Sequence, residues 1–92
     1  MDINELYTII CERRDHPKEG SYTRQLLEAG EDEMAKKIGE EAVEVIIAAK
    51  GQGEQRIIEE TADLIYHVLV LLASRGISPD LVMLELEKRH KK

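Results

Sequence analysis

Apolar residues recur at Ile3, Leu6, Tyr7 and Ile10, the i, i+3, i+4, i+7 spacing of one helix face. Asp2 precedes them as an N-cap, and the spacing predicts a helix to about Arg14. His16-Pro17-Lys18-Glu19-Gly20 breaks the pattern. Ser21 can then cap a short helix through Leu26, Leu27 and Ala29, stopped by Gly30. Glu31, Asp32 and Glu33 are first-turn acids of a helix that carries Met34, Ile38 and the run Val45-Ile46-Ile47-Ala48-Ala49, and ends at Lys50-Gly51. Gly51-Gln52-Gly53 permits only a tight connection, so the next helix, Glu54 to Arg75, returns antiparallel. Its second half, Leu64 to Ala73, is apolar nearly all round, as in helices buried on every side. Gly76 closes it, and Ser78-Pro79-Asp80 opens a last helix with Leu81, Val82, Leu84 and Leu86. That helix ends on Lys88, Arg89, Lys91 and Lys92, which suits a helix C-terminus. No segment alternates as a half-buried strand does. The pattern predicts one all-α domain over residues 1–92: a bundle of four to five helices built on a central antiparallel hairpin.

Length changes this picture in one respect. A chain of 92 residues buries a limited share of its surface, and it can hardly enclose a helix that is apolar all round. A homodimer sharing that helix is the simplest expectation. Acids outnumber bases 19 to 13, and a net charge of -6 argues against a nucleic-acid or anionic-membrane binder. A phosphorylated small molecule stays within reach if metal ions and a few local cations supply positive charge. The single Cys11 excludes an internal disulfide framework and a Cys-rich zinc site, which suits a cytoplasmic protein; Cys11 itself reads as a small residue without chemistry. No apolar run reaches the roughly 18 residues of a membrane span, and Met1 to Glu5 lacks the basic region of a signal peptide.

The candidate chemistry lies in two acidic turns. At about 100° per residue, Glu40, Glu41 and Glu44 share a narrow arc of one helix, between Ile38, Val43, Val45 and Ile46. Glu60 and Asp63 share a face of the next helix, with His67 one turn on. Acids one turn apart repel, so such a collection costs stability unless a cation sits among them. Glu44 lies eight residues before Gln52 and Glu60 eight after; Glu41 and Asp63 lie eleven before and after. Paired about that turn, the four carboxylates converge into an oxygen-only site, which Mg²⁺ prefers, with Mn²⁺ also suited. Zinc would want His or Cys, and only His67 is near. A carboxylate-held metal beside Lys36, Lys37, Lys50 and Arg56 suits phosphate-ester chemistry. Lys37, four residues before Glu41, can neutralise a phosphate or simply form an i,i+4 ion pair; spacing does not decide between them.

Glu40-Glu41-x-x-Glu44 followed by Glu60-x-x-Asp63 resembles the EExxE…ExxD signature of the all-α, MazG-type nucleoside triphosphate pyrophosphatases. Within that superfamily, Ser21-Tyr22-Thr23-x-x-Leu26-Leu27-x-x-Gly30 and Ala62-Asp63-Leu64-x-Tyr66-His67 are similar to the phosphoribosyl-ATP pyrophosphatase branch, and the likeness covers nearly the whole chain. The resemblance implies Mg²⁺-dependent hydrolysis of the α–β phosphoanhydride of phosphoribosyl-ATP to phosphoribosyl-AMP and pyrophosphate, the second step of histidine biosynthesis. It implies Glu41, Glu44, Glu60 and Asp63 as metal ligands. Glu40 becomes the acid or base that orients or deprotonates water, with Lys37 as its catalytic companion. Lys37 and Lys36 would bind phosphate, and Ser21, Tyr22, Thr23 and His67 would face substrate. From the residues alone, Ser21-Tyr22-Thr23 reads equally as a helix cap, and His67 as a hydrogen-bonded core histidine. Tyr66, about 100° from His67 around the helix, is expected in the dimer core. The superfamily also implies dimers or dimers of dimers. Two other functions fit the acids: a MazG-type enzyme acting on free (deoxy)nucleoside triphosphates, and a non-catalytic helical adaptor.

Overall fold

The computed structural model describes residues 1–91, and all its regular structure is helical. The helices are α1 (Ile3–Asp15), α2 (Tyr22–Ala29), α3 (Glu31–Ala49), α4 (Glu54–Ser74) and α5 (Pro79–His90). Local chemistry sets their ends as the sequence predicts. Asp2 accepts from the Glu5 N–H at 2.8 Å, Ser21 from Arg24 at 3.3 Å and Ser78 from Asp80 at 3.2 Å, each satisfying an N–H that its helix leaves without a partner. Lys88, Arg89 and His90 form the basic last turn of α5; Lys92 lies outside the described residues.

α3 and α4 make the most extensive helix–helix contact, with α1 and α2 packed against them. The hairpin depends on its glycines. Gly53 begins α4 at φ 90°, ψ 166°, and Gly30 begins α3 at φ 99°, ψ 173°, a region essentially closed to L side chains. Two arginines act at the far end of the pair, one tying α1 to α4 and the other α4 to α3. Arg14 donates to the Ala73 carbonyl at 2.7 Å, and Arg75 Nε to Glu31 at 2.9 Å. Ile10, Leu26, Met34, Leu69, Val70 and Ala73 form the core, with Tyr7, Cys11 and Tyr66 half-buried against it.

α4 buries one face rather than all of them. His67, Leu69, Val70 and Ala73 are enclosed, while Ile65 is 40% exposed and Leu64 and Val68 are half-covered. α5 turns away from α4 by 110° and touches mainly α1; Leu81, Val82, Met83, Leu84 and Leu86 all stay exposed. No single helix among the described residues is long and apolar enough to cross a membrane.

The glycines give a stability test with opposite signs. An added Cβ meets nothing within 4 Å at Gly53 or at Gly39, so only backbone conformation separates them. Gly53→Ala is expected to cost about 1–3 kcal/mol. Gly39→Ala, inside α3 with ordinary helical geometry, is expected to stabilise by roughly 0.5–1 kcal/mol. Urea unfolding of the two variants checks both signs.

Candidate active site

The hairpin brings three acids together. Carboxylate oxygens of Glu41 on α3 and of Glu60 and Asp63 on α4 lie within 4.8 Å of one another. Glu60 and Asp63 share a face because they are three residues apart on one helix, and Glu41 meets them through the antiparallel register about Gln52. Glu60 is buried at 6% exposure, Glu41 half-buried and Asp63 exposed, so the group is walled on one side and open on the other. Burial pushes the Glu41 carboxyl up; Asp63 and Glu60 push it the same way, while His67 and Lys37 oppose. Burial and the two neighbouring acids together outweigh the relief from His67 and Lys37, so the charge on Glu41 is harder to keep in the folded chain. Oxygen donors alone, held this close, are a donor set for a hard divalent cation.

The remaining expected residues surround this group at different depths. Glu44 lies one turn further along α3, half-buried, and is not among the three converging acids. Glu40 and Lys36 are exposed and make no side-chain hydrogen bond or ion pair among the described residues. Lys37 Nζ stands 3.8 Å from Glu41 Oε1, close enough for ion pairing and too long for a hydrogen bond. Arg56 bridges Glu59 and Glu60, so the cation nearest Glu60 comes from the same helix.

α2 supplies a polar and aromatic wall. Ser21 Oγ is the helix cap, and Thr23, buried, pairs with the Tyr66 hydroxyl. Tyr22 stacks on Tyr66 with centroids 6.3 Å apart at 23°, and its hydroxyl lies 2.8 Å from His67 Nε2. His67 Nδ1 donates to the Asp63 carbonyl at 2.6 Å, an i−4 contact available only because α4 is helical there. Both ring nitrogens of His67 are thus engaged, which removes it from the metal donor set. Burial raises the Tyr22 hydroxyl, Glu41 and Asp63 add to the rise, and Lys37 opposes it.

Tyr66, expected in a dimer core, lies within its own chain against Tyr22 and Thr23, half-buried. The signal for this placement is the spacing from Asp63, because Asp63 and Tyr66 are three residues apart and share a face.

A family model described as phosphoribosyl-ATP pyrophosphohydrolase matches residues 3–90. A phosphoribosyl-ATP pyrophosphatase of Pelotomaculum thermopropionicum is 52% identical over 90 residues, covering 98% of this chain and 92% of that one. One from Lactiplantibacillus plantarum is 52% identical over 92 residues, covering 100% of this chain and 87% of its own. One from Sulfurisphaera tokodaii is 51% identical over 89 residues, covering 97% and 95%.

The strained acid has a signature in pH. With its pKa raised above the ordinary value of 4.5, Glu41 binds a proton more tightly in the folded chain than in the unfolded one. Stability contributed by this group therefore falls as pH rises from 4.5 through the raised folded value. Glu41→Gln removes the effect. In buffer with a chelator, the variant is expected to melt above the native sequence at pH 7, and the gap to close below pH 4.5; thermal unfolding at both values reads it.

Proposed function

The chain belongs to the phosphoribosyl-ATP pyrophosphohydrolase family, and from that premise we propose that it hydrolyses the α–β phosphoanhydride of phosphoribosyl-ATP to phosphoribosyl-AMP and pyrophosphate. It does so in the cytoplasm, as a step of histidine biosynthesis. The observation that carries the reading is the convergence of Glu41, Glu60 and Asp63 within 4.8 Å, from two helices and without a nitrogen or sulfur donor. Such a set fits Mg²⁺ or Mn²⁺ better than zinc. Glu41, Glu60 and Asp63 would hold the ion, with Glu44 as a fourth ligand from the next turn of α3. When bound, the ion supplies neutralisation of phosphate oxygens and acidification of water.

The other residues divide the remaining work. Lys37, loosely tied to Glu41, offers its ammonium to a substrate phosphate, and exposed Lys36 adds charge at the rim. Glu40, also exposed and without an ion-pair partner among the described residues, would orient or deprotonate the attacking water. Ser21 and Thr23 shape the site through the start of α2, their hydroxyl oxygens engaged with Arg24 N–H and Tyr66. His67 acts through Tyr22 and Asp63.

The open apolar faces belong to the same reading. A groove of about 890 Å³ between α1, α4 and α5 is lined by Ile3, Leu6, Leu64, Ile65, Val68 and Met83, with Val82 at its side. A second copy covering it would bury the faces that α4 and α5 leave exposed, making a dimer or a dimer of dimers. Light scattering after gel filtration is expected to give twice or four times the chain mass. Ile65→Asp with Val82→Asp should return the monomer.

Pyrophosphate release from phosphoribosyl-ATP tests the chemistry. Activity should require Mg²⁺ or Mn²⁺ and vanish with chelator. Asp63→Asn or Glu44→Gln should each lower kcat/KM by about a hundredfold or more while the oligomer persists. Full turnover in both variants would exclude the ligand set. Preference for a deoxynucleoside triphosphate would exclude the substrate but keep the ligands.

A further inference from the structure

Glu60 is the most deeply placed of the three converging acids, at 6% exposure, and a buried carboxylate needs a charged or hydrogen-bonding partner. That partner is Arg56, one turn earlier on α4. Glu41, by comparison, has Lys37 at 3.8 Å, beyond hydrogen-bond reach. Among the described residues, Glu60 is thus the acid of this group whose carboxylate is hydrogen-bonded to a cation.

The guanidinium is held twice, by different nitrogens. Nη2 donates to Glu60 Oε1, and Nη1 donates to Glu59 Oε1. Residues three and four apart on a helix are neighbours, which lets one side chain reach both acids. The two holds differ in kind. Glu60 belongs to the converging acids, whereas the side chains of Arg56 and Glu59 are 45% and 44% exposed. Glu59 is itself steadied, its Oε2 accepting from Gln55 at 3.2 Å. The bond to Glu60 can therefore break while the bond to Glu59 persists, and the guanidinium turns outward still paired. A divalent ion on Glu41, Glu60 and Asp63 supplies the reason to turn, because it sets two positive charges against a third on the same carboxylate.

We propose that Arg56 and a divalent ion compete for Glu60: the guanidinium is the buried acid's counter-ion until the ion displaces it, and Glu59 retains it afterwards. The inference rests on the reading of Glu41, Glu60 and Asp63 as metal ligands. It gives the site a lower metal affinity than its carboxylates alone would provide. In exchange, the buried acid is never left without a cation.

Two measurements on the full-length protein test it: Mn²⁺ titration, read by the paramagnetic resonance of the free ion, and melting in chelator and in saturating Mg²⁺. Arg56→Met is expected to bind Mn²⁺ about fivefold more tightly than the native sequence. In chelator the variant should melt below the native sequence, because a buried carboxylate has lost its partner. With saturating Mg²⁺ that gap should close. Glu59→Gln should weaken Mn²⁺ binding about threefold, but less than about 1.5-fold in an Arg56→Met background, where nothing is left to retain. Weaker Mn²⁺ binding by Arg56→Met, with a melting deficit that persists in Mg²⁺, would overturn the inference and make Arg56 a fixed support of a metal-bound Glu60. Equal losses from Glu59→Gln in both backgrounds would overturn it too, since a distant charge acts alike in each. Asp63→Asn separates the inference from the reading beneath it. Native Mn²⁺ affinity in that variant would sink the ligand set itself; a large loss there, beside an unchanged affinity in Arg56→Met, would sink the competition alone.

Discussion

The protein is organised around a repulsion. Two helices hold Glu41, Glu60 and Asp63 within 4.8 Å, and burial makes the charge on Glu41 harder to keep. A fold built only for stability would spread these groups over its surface. The hairpin that forces them together is set by a connection of four residues between Ala49 and Glu54, with Gly51 and Gly53 at positive φ. The turn fixes the register, and the register fixes which carboxylates meet. Arg75 on Glu31 closes the opposite end, so the two long helices are tied at both ends, and Arg14 on Ala73 fastens α1 to the same place.

Around this core of charge the fold arranges directional contacts. The chain from the Asp63 carbonyl through His67 to Tyr22 links the backbone of an acidic residue to the first helical residue of α2. Thr23 and Tyr66 repeat the link one residue on along α2 and one residue back along α4. A short helix of eight residues would dock weakly by apolar contact alone. These pairs give it a defined position against α4, with its N-terminus beside the acids. Membership of the phosphoribosyl-ATP pyrophosphohydrolase family accords with a site of acids, a loosely held lysine and a hydroxyl-bearing wall.

Small size explains the rest of the surface. Among the described residues only seven hydrophobic residues are buried, and α5 contributes just Pro79 to the interior. The leucines and valines of α5, with Val43, Ile46 and Ile58 near the hairpin tip, stay open to solvent. The acids use the directions of the hairpin that apolar packing would otherwise have filled, so a larger core is not available within one chain.

The sequence by itself determined the helices and the acids. Caps at Asp2, Ser21 and Ser78, stops at Gly30 and Gly76, and the short glycine turn are local signals, each acting within a few residues, and all are legible without a partner. Even the meeting of Glu41 with Asp63 could be counted from Gln52, because a tight turn between helices leaves little freedom of register. Three things were decided only by tertiary packing. Glu44 is left outside the close group although its count from the turn matches that of Glu60, since a few ångströms along a helix axis are not encoded in spacing. Tyr66 joins the site wall because α2 docks there, which no periodicity on α4 specifies. The direction of the Tyr22 hydroxyl depends on a histidine 45 residues away, itself oriented by a backbone carbonyl. Such polarity arises only when donors and acceptors from separate elements meet, and it is absent from any single stretch of chain.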